Sequence, residues 1–343
     1  MLKHLRAAVA PLAKTALLHT GACATVRALA PSRSIAILRY HAICNEDGYA
    51  YADPYICISP QAFERHVRYL AAHYNVMRLE EVAARLRTGQ SLPTNAVCIT
   101  FDDGYADNLE AARTLNRYGV SATFFITADC LAGGLPFWPA EIRTLIPAVK
   151  ETNLRLRVAD RDVEIPLTSA RERRLAVRHV TKLFKSNTIP AREAMREQLR
   201  KAAGHPTIPT CMLRWDQLAE MHRLGMTIGA HTLTHPNLPS AGLEAAQTEI
   251  AGSKARLERE LSIEVTQFSY PNGGAERYFT PELQRIVAEA GYTAASSSRN
   301  AFASTASDIY ALERVEVEER LEDLVFALEV ERFAFKPQRA NTP

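Results

Sequence analysis

The feature that most constrains the fold is a serial alternation of short apolar runs with helical patterns, beginning near Ser34. Apolar runs with strand character cover residues 34–40, 76–79, 96–101, 120–127, 226–231, 265–270, 293–297 and 311–317. Helical spacing of apolar residues covers 59–70, 79–86, 107–118, 243–261, 280–290 and 321–335. Strands that alternate with helices pair in parallel through helical crossovers, which predicts an α/β barrel or a doubly wound sheet. No GxGxxG motif follows the first strand, which argues against a dinucleotide-binding domain.

A region from about Pro136 to Pro209 interrupts this alternation. The apolar-alternating runs 154–158 and 163–167, joined through 159–162, are typical of a hairpin. The basic helical stretch 171–201 that follows is interpreted as a solvated helix face in preference to a patch for an anionic glycan or a membrane. We therefore predict an insertion within one domain that spans 34–336. The tail, 337–343, is predicted to be disordered.

Composition and charge place few limits on partners. The chain has 343 residues and a net charge of +3, which is too weakly basic to indicate a nucleic-acid partner. In the basic N-terminal segment, 1–33, Pro11 and Lys14 break the continuous apolar core that a secretory signal needs. We expect this segment to be amphipathic and either to contact a membrane peripherally or to pack on the domain. Six scattered cysteines without a CxxC pair favour reduced thiols, and thus a cytoplasmic or membrane-peripheral setting over secretion.

Two adjacent acidic residues, Asp102 and Asp103, follow the apolar run 96–101 and are followed by Gly104. Adjacent strand residues point to opposite faces, so two acids at a strand end can take different roles. One acid can bind a metal while the other accepts or donates a proton. Asp-Asp-Gly is also a common turn sequence, so the pattern does not define a site by itself.

A second chemical pattern is the pair His231 and His235, which follows another strand-like run. Pro236 disfavours a helix at His235, so a strand end that leads into a loop is predicted. Two imidazoles and one carboxylate form a three-ligand set that leaves a coordination position open for water, as in hydrolytic metal sites. A third strand end, FSYPNGG at 268–274, supplies backbone N–H groups for an oxyanion. These strand ends coincide with the edge at which α/β barrels place their sites.

Together the motifs resemble those of the polysaccharide deacetylase family. Three of them occur in the family's order: TFDDGY at 100–105, HTLTH at 231–235 and FSYPNG at 268–273. The stretch 215–229, from WDQL to GMTIG, is similar to the family's usual approach to its metal histidines. The resemblance covers roughly 35–318, with 136–209 as a departure. It implies an irregular, incomplete (β/α) barrel and N-deacetylation of chitin, chitooligosaccharides, peptidoglycan or poly-N-acetylglucosamine.

The resemblance also implies roles for individual residues. Asp102 matches the family's catalytic base, and Asp103, His231 and His235 match its metal ligands. We expect a divalent ion, with zinc preferred for two imidazoles and a carboxylate, and cobalt, nickel or manganese as alternatives. The backbone N–H at Tyr270 is expected to hold the reaction's oxyanion together with the metal.

The sequence departs from the family's commonest pattern in two places. No histidine follows His235, so the late leucine-x-histidine motif is absent, and no arginine precedes the tyrosine–proline loop. His41, in LRYH, is a candidate proton donor, with a structural hydrogen-bonded histidine as the alternative. Arg314, in ALERV, is a candidate for orienting Asp102, with a rim ion pair of no catalytic weight as the alternative.

These patterns predict a metal-dependent hydrolase that removes N-acetyl groups from an amino-sugar-containing polysaccharide or oligosaccharide. The expected partner is an N-acetylated glycan, and no oligomeric state is indicated. One alternative is a hydrolase of another non-peptide C–N bond, of the cyclic ureide type, which needs a closed pocket where a glycan enzyme needs an open groove. The other is a catalytically inactive glycan-binding protein. The missing late histidine suggests it, and the presence of the base and all three metal ligands opposes it.

Overall fold

The computed structural model describes residues 2–273 and 278–333. The strands are β1 (Ala36–Tyr40), β2 (Asn75–Val76), β3 (Ala96–Phe101), β4 (Thr123–Ile126), β5 (Asn153–Val158), β6 (Arg161–Pro166), β7 (Thr227–Ala230), β8 (Gln267–Ser269), β9 (Ala294–Asn300) and β10 (Leu312–Glu316). The helices are α1 (Leu2–His19), α2 (Ala22–Leu29), α3 (Pro60–His73), α4 (Leu79–Arg87), α5 (Asn108–Arg117), α6 (Trp138–Ala148), α7 (Ala170–Lys185), α8 (Ile189–Ala202), α9 (Trp215–Arg223), α10 (Leu238–Ala241), α11 (Leu243–Leu261), α12 (Pro281–Glu289) and α13 (Leu321–Glu329).

Seven of the strands form a closed ring. Their order is β1, β10, β9, β8, β7, β4 and β3, and β1 closes the ring by pairing with β3. Each pairing in the ring is parallel, and β2 adds to β3 outside it. The predicted irregular, incomplete (β/α) barrel is confirmed, because the ring has one strand fewer than a complete eight-stranded barrel.

Local sequence signals account for most element boundaries. β3 coincides with the predicted run, and all its residues are buried, as is typical of parallel strands covered on both faces. α3 begins after Ser59, whose hydroxyl accepts a hydrogen bond from the Ala62 N–H at 3.2 Å. The strand predicted at 76–79 is shorter, since β2 ends at Val76 and α4 begins at Leu79. α13 ends before the predicted boundary, and residues 334 and 335 lie outside the described residues.

The insertion and the N-terminal segment both pack as ordered structure. The insertion contains the predicted hairpin, β5 and β6, followed by α7 and α8 in the basic stretch. α1 and α2 lie on α13, where Lys14 forms an ion pair with Asp323 at 2.9 Å. Packing on the domain is therefore seen for this segment. Among the described residues, no helix is long and apolar enough to span a bilayer. The tail, 337–343, lies outside them.

The strand register brings the predicted site residues to one rim of the barrel. Tyr40 of β1 lies opposite Phe101 of β3, and Ala230 of β7 lies opposite both Ile126 of β4 and Phe268 of β8. The residues that follow these positions leave the ring at its carboxyl end, where loops carry function in parallel barrels.

Candidate metal centre and active site

The two acids diverge because the backbone changes conformation between them. The Asp102 N–H continues the strand pairing by donating to the Tyr40 carbonyl at 3.0 Å. Asp103 then adopts a left-handed φ of 78°, followed by Gly104 at 91°. A side chain at Gly104 would also approach Ile126 Cδ1 to 3.1 Å. This turn directs the Asp103 carboxylate toward the histidines and the Asp102 carboxylate toward Arg314.

Asp103, His231 and His235 converge on one point. Asp103 Oδ1 lies 3.4 Å from His231 Nε2 and 3.3 Å from His235 Nε2. One ligand atom from each residue lies within 4.8 Å of the others, and all three residues are buried. This spacing lets one ion contact all three side chains, the arrangement that the sequence pattern predicts.

The chemistry of these three donors fits a divalent metal. His231 Nδ1 donates to the Ser269 carbonyl at 2.7 Å, because a carbonyl can only accept, and this leaves the Nε2 lone pair facing Asp103. Burial lowers the pKa of His235, which favours the neutral imidazole that metals require. Burial by itself raises the pKa of Asp103, but the neighbouring His231 and His235 together outweigh it and hold that pKa well below its usual range. The cluster therefore offers two imidazoles and one carboxylate, a donor set that suits zinc.

Strained backbone is concentrated around these candidate ligands. Four of the eight described non-glycine residues with positive φ are Asp103, Thr232, His235 and Asn272. Such conformations cost about 1–3 kcal/mol each and persist where surrounding contacts over-determine them. Glu249 of α11 supplies part of that support, because its carboxylate accepts the N–H groups of residues 233 and 234 at 2.8 Å.

Arg314 binds and orients the Asp102 carboxylate. Its guanidinium donates to both Asp102 carboxylate oxygens, at 2.8 and 2.7 Å, and also to the Ser297 carbonyl and the Ser269 hydroxyl. The arginine is fully buried. Burial by itself raises the pKa of Asp102, but the charge and hydrogen bonds of Arg314, together with the nearby His231 and His41, outweigh it and keep that pKa below its ordinary value. Asp102 is thus ionised and fixed in orientation.

His41 lies in the same cavity as the acids. Its Nε2 is 3.8 Å from Asp102 Oδ2, and 18% of its side chain is exposed. Burial lowers the pKa of His41 to about 4, although the charges of Asp102 and Asp103 act in the opposite direction. The imidazole is therefore neutral near pH 7 in the absence of a bound ion. To serve as a proton donor it must first receive a proton.

The expectation for Tyr270 is wrong. Its backbone N–H donates to the Ser296 carbonyl at 3.1 Å, so this group belongs to the pairing of β8 with β9 and is not available to an oxyanion. The side chain is buried, and its hydroxyl donates to the Tyr310 carbonyl at 3.0 Å. The next residues along the loop, Asn272 and Gly273, reach the cavity instead. Gly274 of the predicted loop lies outside the described residues.

A cavity of about 330 Å³ surrounds the candidate ligand cluster. Its floor is the barrel rim, with Asp102, Asp103 and both histidines. Several residues of its walls are not marked by any of the sequence motifs: Arg39, Asp53, Trp138, Arg143 and Lys185. Three of these belong to the insertion, and Lys185 lies in the basic stretch that the sequence pattern indicated to be a solvated helix face.

Comparisons with known proteins agree with this geometry. The family model for polysaccharide deacetylase matches residues 89–148 and 171–295, more than half of the chain. The unmatched residues between these two segments, 149–170, include the hairpin of β5 and β6. Over 297 residues the chain is 23% identical to YxkH of Bacillus subtilis (strain 168), provisionally named a polysaccharide deacetylase, covering 86% of this chain and 75% of the relative.

Two solved structures share the fold. The deacetylase PplD of Streptococcus pyogenes, solved with acetate, has a TM-score of 0.58 and 20% identity, over 87% of this chain and 99% of that one. IcaB from Ammonifex degensii has a TM-score of 0.55 and 18% identity, over 87% and 98% of the two chains. On the family match, together with the shared barrel, the chain belongs to the polysaccharide deacetylase family, whose members are hydrolases of non-peptide carbon–nitrogen bonds.

Proposed function

We propose that this protein is a metal-dependent N-deacetylase of a glycan that contains N-acetylated amino sugars. The observation that carries the proposal is the convergence of Asp103, His231 and His235 beside an ionised carboxylate, Asp102, in one cavity. A protein that only bound a glycan, without hydrolysing it, would not require these four side chains. A three-donor cluster next to a fixed, ionised acid is the arrangement that amide hydrolysis needs.

Asp103, His231 and His235 are proposed to hold the metal, with zinc as its identity. A bound divalent ion would polarise the acetamide carbonyl and lower the pKa of water. The residues contribute a carboxylate and two imidazoles whose ligand atoms lie within 4.8 Å of one another. Their burial keeps bulk water from competing for the same positions.

Asp102 is proposed as the general base. Arg314 keeps its carboxylate ionised at any ordinary pH and restricts its rotation through two hydrogen bonds. Each carboxylate oxygen retains a further lone pair that can accept a proton from water. In this role Arg314 is a positioning residue and does not contact the substrate.

His41 is proposed to return the proton to the leaving amine. Its neutral resting state allows it to take the proton that Asp102 has received, across the 3.8 Å that separates Nε2 from Oδ2. Because burial lowers its pKa, the imidazolium once formed is a strong acid and releases the proton readily. This assigns to His41 the task of the histidine that is missing after His235.

The test is a deacetylation assay on short N-acetylglucosamine oligomers, run before and after chelation and after addition of zinc. We expect activity to be lost with the metal and restored by zinc. Asp102→Asn should bind zinc normally and lower kcat at least about a hundredfold, the lower range for loss of a general base. Asp216→Asn, at an exposed ion pair with Arg214, is the matched control and should leave kcat unchanged. Near-normal kcat in Asp102→Asn would assign the base elsewhere.

A further inference from the structure

The insertion contacts the metal cluster at its first residues. The Trp138 indole Nε1–H donates to the backbone carbonyl of His235 at 3.0 Å. The rings of Phe137 and Trp138 also lie against the His235 imidazole, with centroid separations of 5.4 and 5.9 Å. These two residues therefore fix both the backbone and the ring of one predicted ligand.

A second contact comes from the far end of the insertion. Arg192 of α8 donates from Nη1 to the Thr234 carbonyl at 3.2 Å and from Nη2 to the Thr234 hydroxyl at 3.0 Å. The side chain is 2% exposed, and its guanidinium lies 5.9 Å from the Trp138 ring centroid. Trp138 and Arg192 thus bind consecutive carbonyls of the loop that carries His231 and His235.

The loop needs such support because its backbone is strained. Thr232 and His235 have φ values of 66° and 57°, in the left-handed region that side chains disfavour. Glu249 binds N–H groups of this loop from the barrel side, so the carbonyls of residues 234 and 235 depend on the insertion. Without these two donors, the loop could relax toward ordinary φ values and move the His235 ring.

The insertion is itself braced well enough to hold a position. Buried Glu141 of α6 forms ion pairs with Arg196 at 2.7 Å and Arg200 at 2.6 Å, both from α8. Arg196 also donates to the Pro136 carbonyl at 2.8 Å, next to Phe137 and Trp138. A separate apolar cluster fills the space between α6, the hairpin, α7 and α8. The residues that touch the histidine loop therefore belong to one packed unit.

We infer that Trp138 and Arg192 are positioning residues through which the insertion sets the metal affinity of the site. The inference rests on the metal site of the proposed function, but it concerns the affinity for the ion and not the reaction. Partners that orient metal ligands are typically worth about 10–100-fold in metal affinity. The insertion then contributes to metal binding as well as to the fold.

The test measures zinc affinity of the full chain by competition with a chromophoric chelator. Trp138→Phe removes the indole N–H and keeps an aromatic ring, and Arg192→Met removes the guanidinium. The matched control is Arg173→Met, because Arg173 also binds two carbonyls, of Ile146 and Val149, at 3.0 and 2.8 Å, but both lie inside the insertion. We expect the zinc Kd to rise about tenfold or more in the first two variants and to stay unchanged in the control. The visible absorption of bound Co²⁺ should shift in the same two variants.

The outcomes separate this inference from the proposed function. Unchanged zinc Kd in both variants overturns the inference, and so does an equal loss in Arg173→Met, which would indicate general loosening of the insertion. Tight zinc binding by the unaltered chain without deacetylation would overturn the proposed activity and leave the positioning role in place. An unaltered chain that binds no zinc would overturn the metal site and this inference together.

Discussion

The buried pair of Arg314 and Asp102 gives the sharpest prediction about stability. Arg314→Met keeps the apolar length of the side chain and removes the positive charge. The Asp102 carboxylate, whose side chain is 4% exposed, would then be buried without its ion-pair partner. Removing one partner of a buried pair costs about 3–5 kcal/mol. We expect a loss of this size in the free energy of unfolding at pH 7.

The pH dependence follows from the direction of the pKa shift. In the unaltered chain the folded pKa of Asp102 is lowered, so the pair contributes stability above the unfolded value, about 3.9, and loses it as the pH falls. Without Arg314, burial is the larger influence and raises the folded pKa, so ionised Asp102 destabilises the variant at neutral pH. The stability difference between the two chains should therefore shrink as the pH falls from 7 to 4.

The assay is urea denaturation of the metal-free chain at both pH values. Asp102→Asn and the double variant complete a mutant cycle, in which residues in contact show coupling of about 0.5–3 kcal/mol, and the burial of this pair places it at the upper end. Arg113→Met, at an exposed ion pair with Glu220, is the control and should show no such pH dependence. Additive losses in the cycle, or a stability difference that does not change with pH, would refute the reasoning.

Two further predictions address the residues whose roles the family pattern leaves open. His41→Ala should lower kcat about a hundredfold at pH 7 while the zinc Kd stays the same, because the imidazole contacts Asp102 and is not a ligand; loss of zinc in this variant would contradict the assignment. Tyr270→Phe should leave kcat unchanged and lower the free energy of unfolding by about 0.5–1.5 kcal/mol, the value of its hydroxyl hydrogen bond to Tyr310, and a large fall in kcat would restore a catalytic role.

The sequence by itself predicted an α/β fold, the family resemblance specified the incomplete barrel, and the motifs nominated three candidate metal ligands. The apolar run 96–101 and the helical pattern 243–261 match β3 and α11 residue for residue, because the spacing of apolar residues is a property of the local sequence. Asp103, His231 and His235 could be nominated in the same way. They follow strand ends, and the carboxyl ends of parallel strands meet at one rim.

Only the tertiary structure decided which groups are available and what supports them. The Tyr270 N–H looked free because its acceptor, the Ser296 carbonyl, belongs to a neighbouring strand that the loop sequence does not reveal. The neutral state of His41 depends on burial, which surrounding elements impose. Trp138 binds His235, which is 97 residues away in the sequence, and the periodicity of apolar residues does not predict such a contact. A group's hydrogen-bond partners and its degree of burial depend on which segments surround it in the folded chain. They are therefore set only when segments distant in sequence pack together.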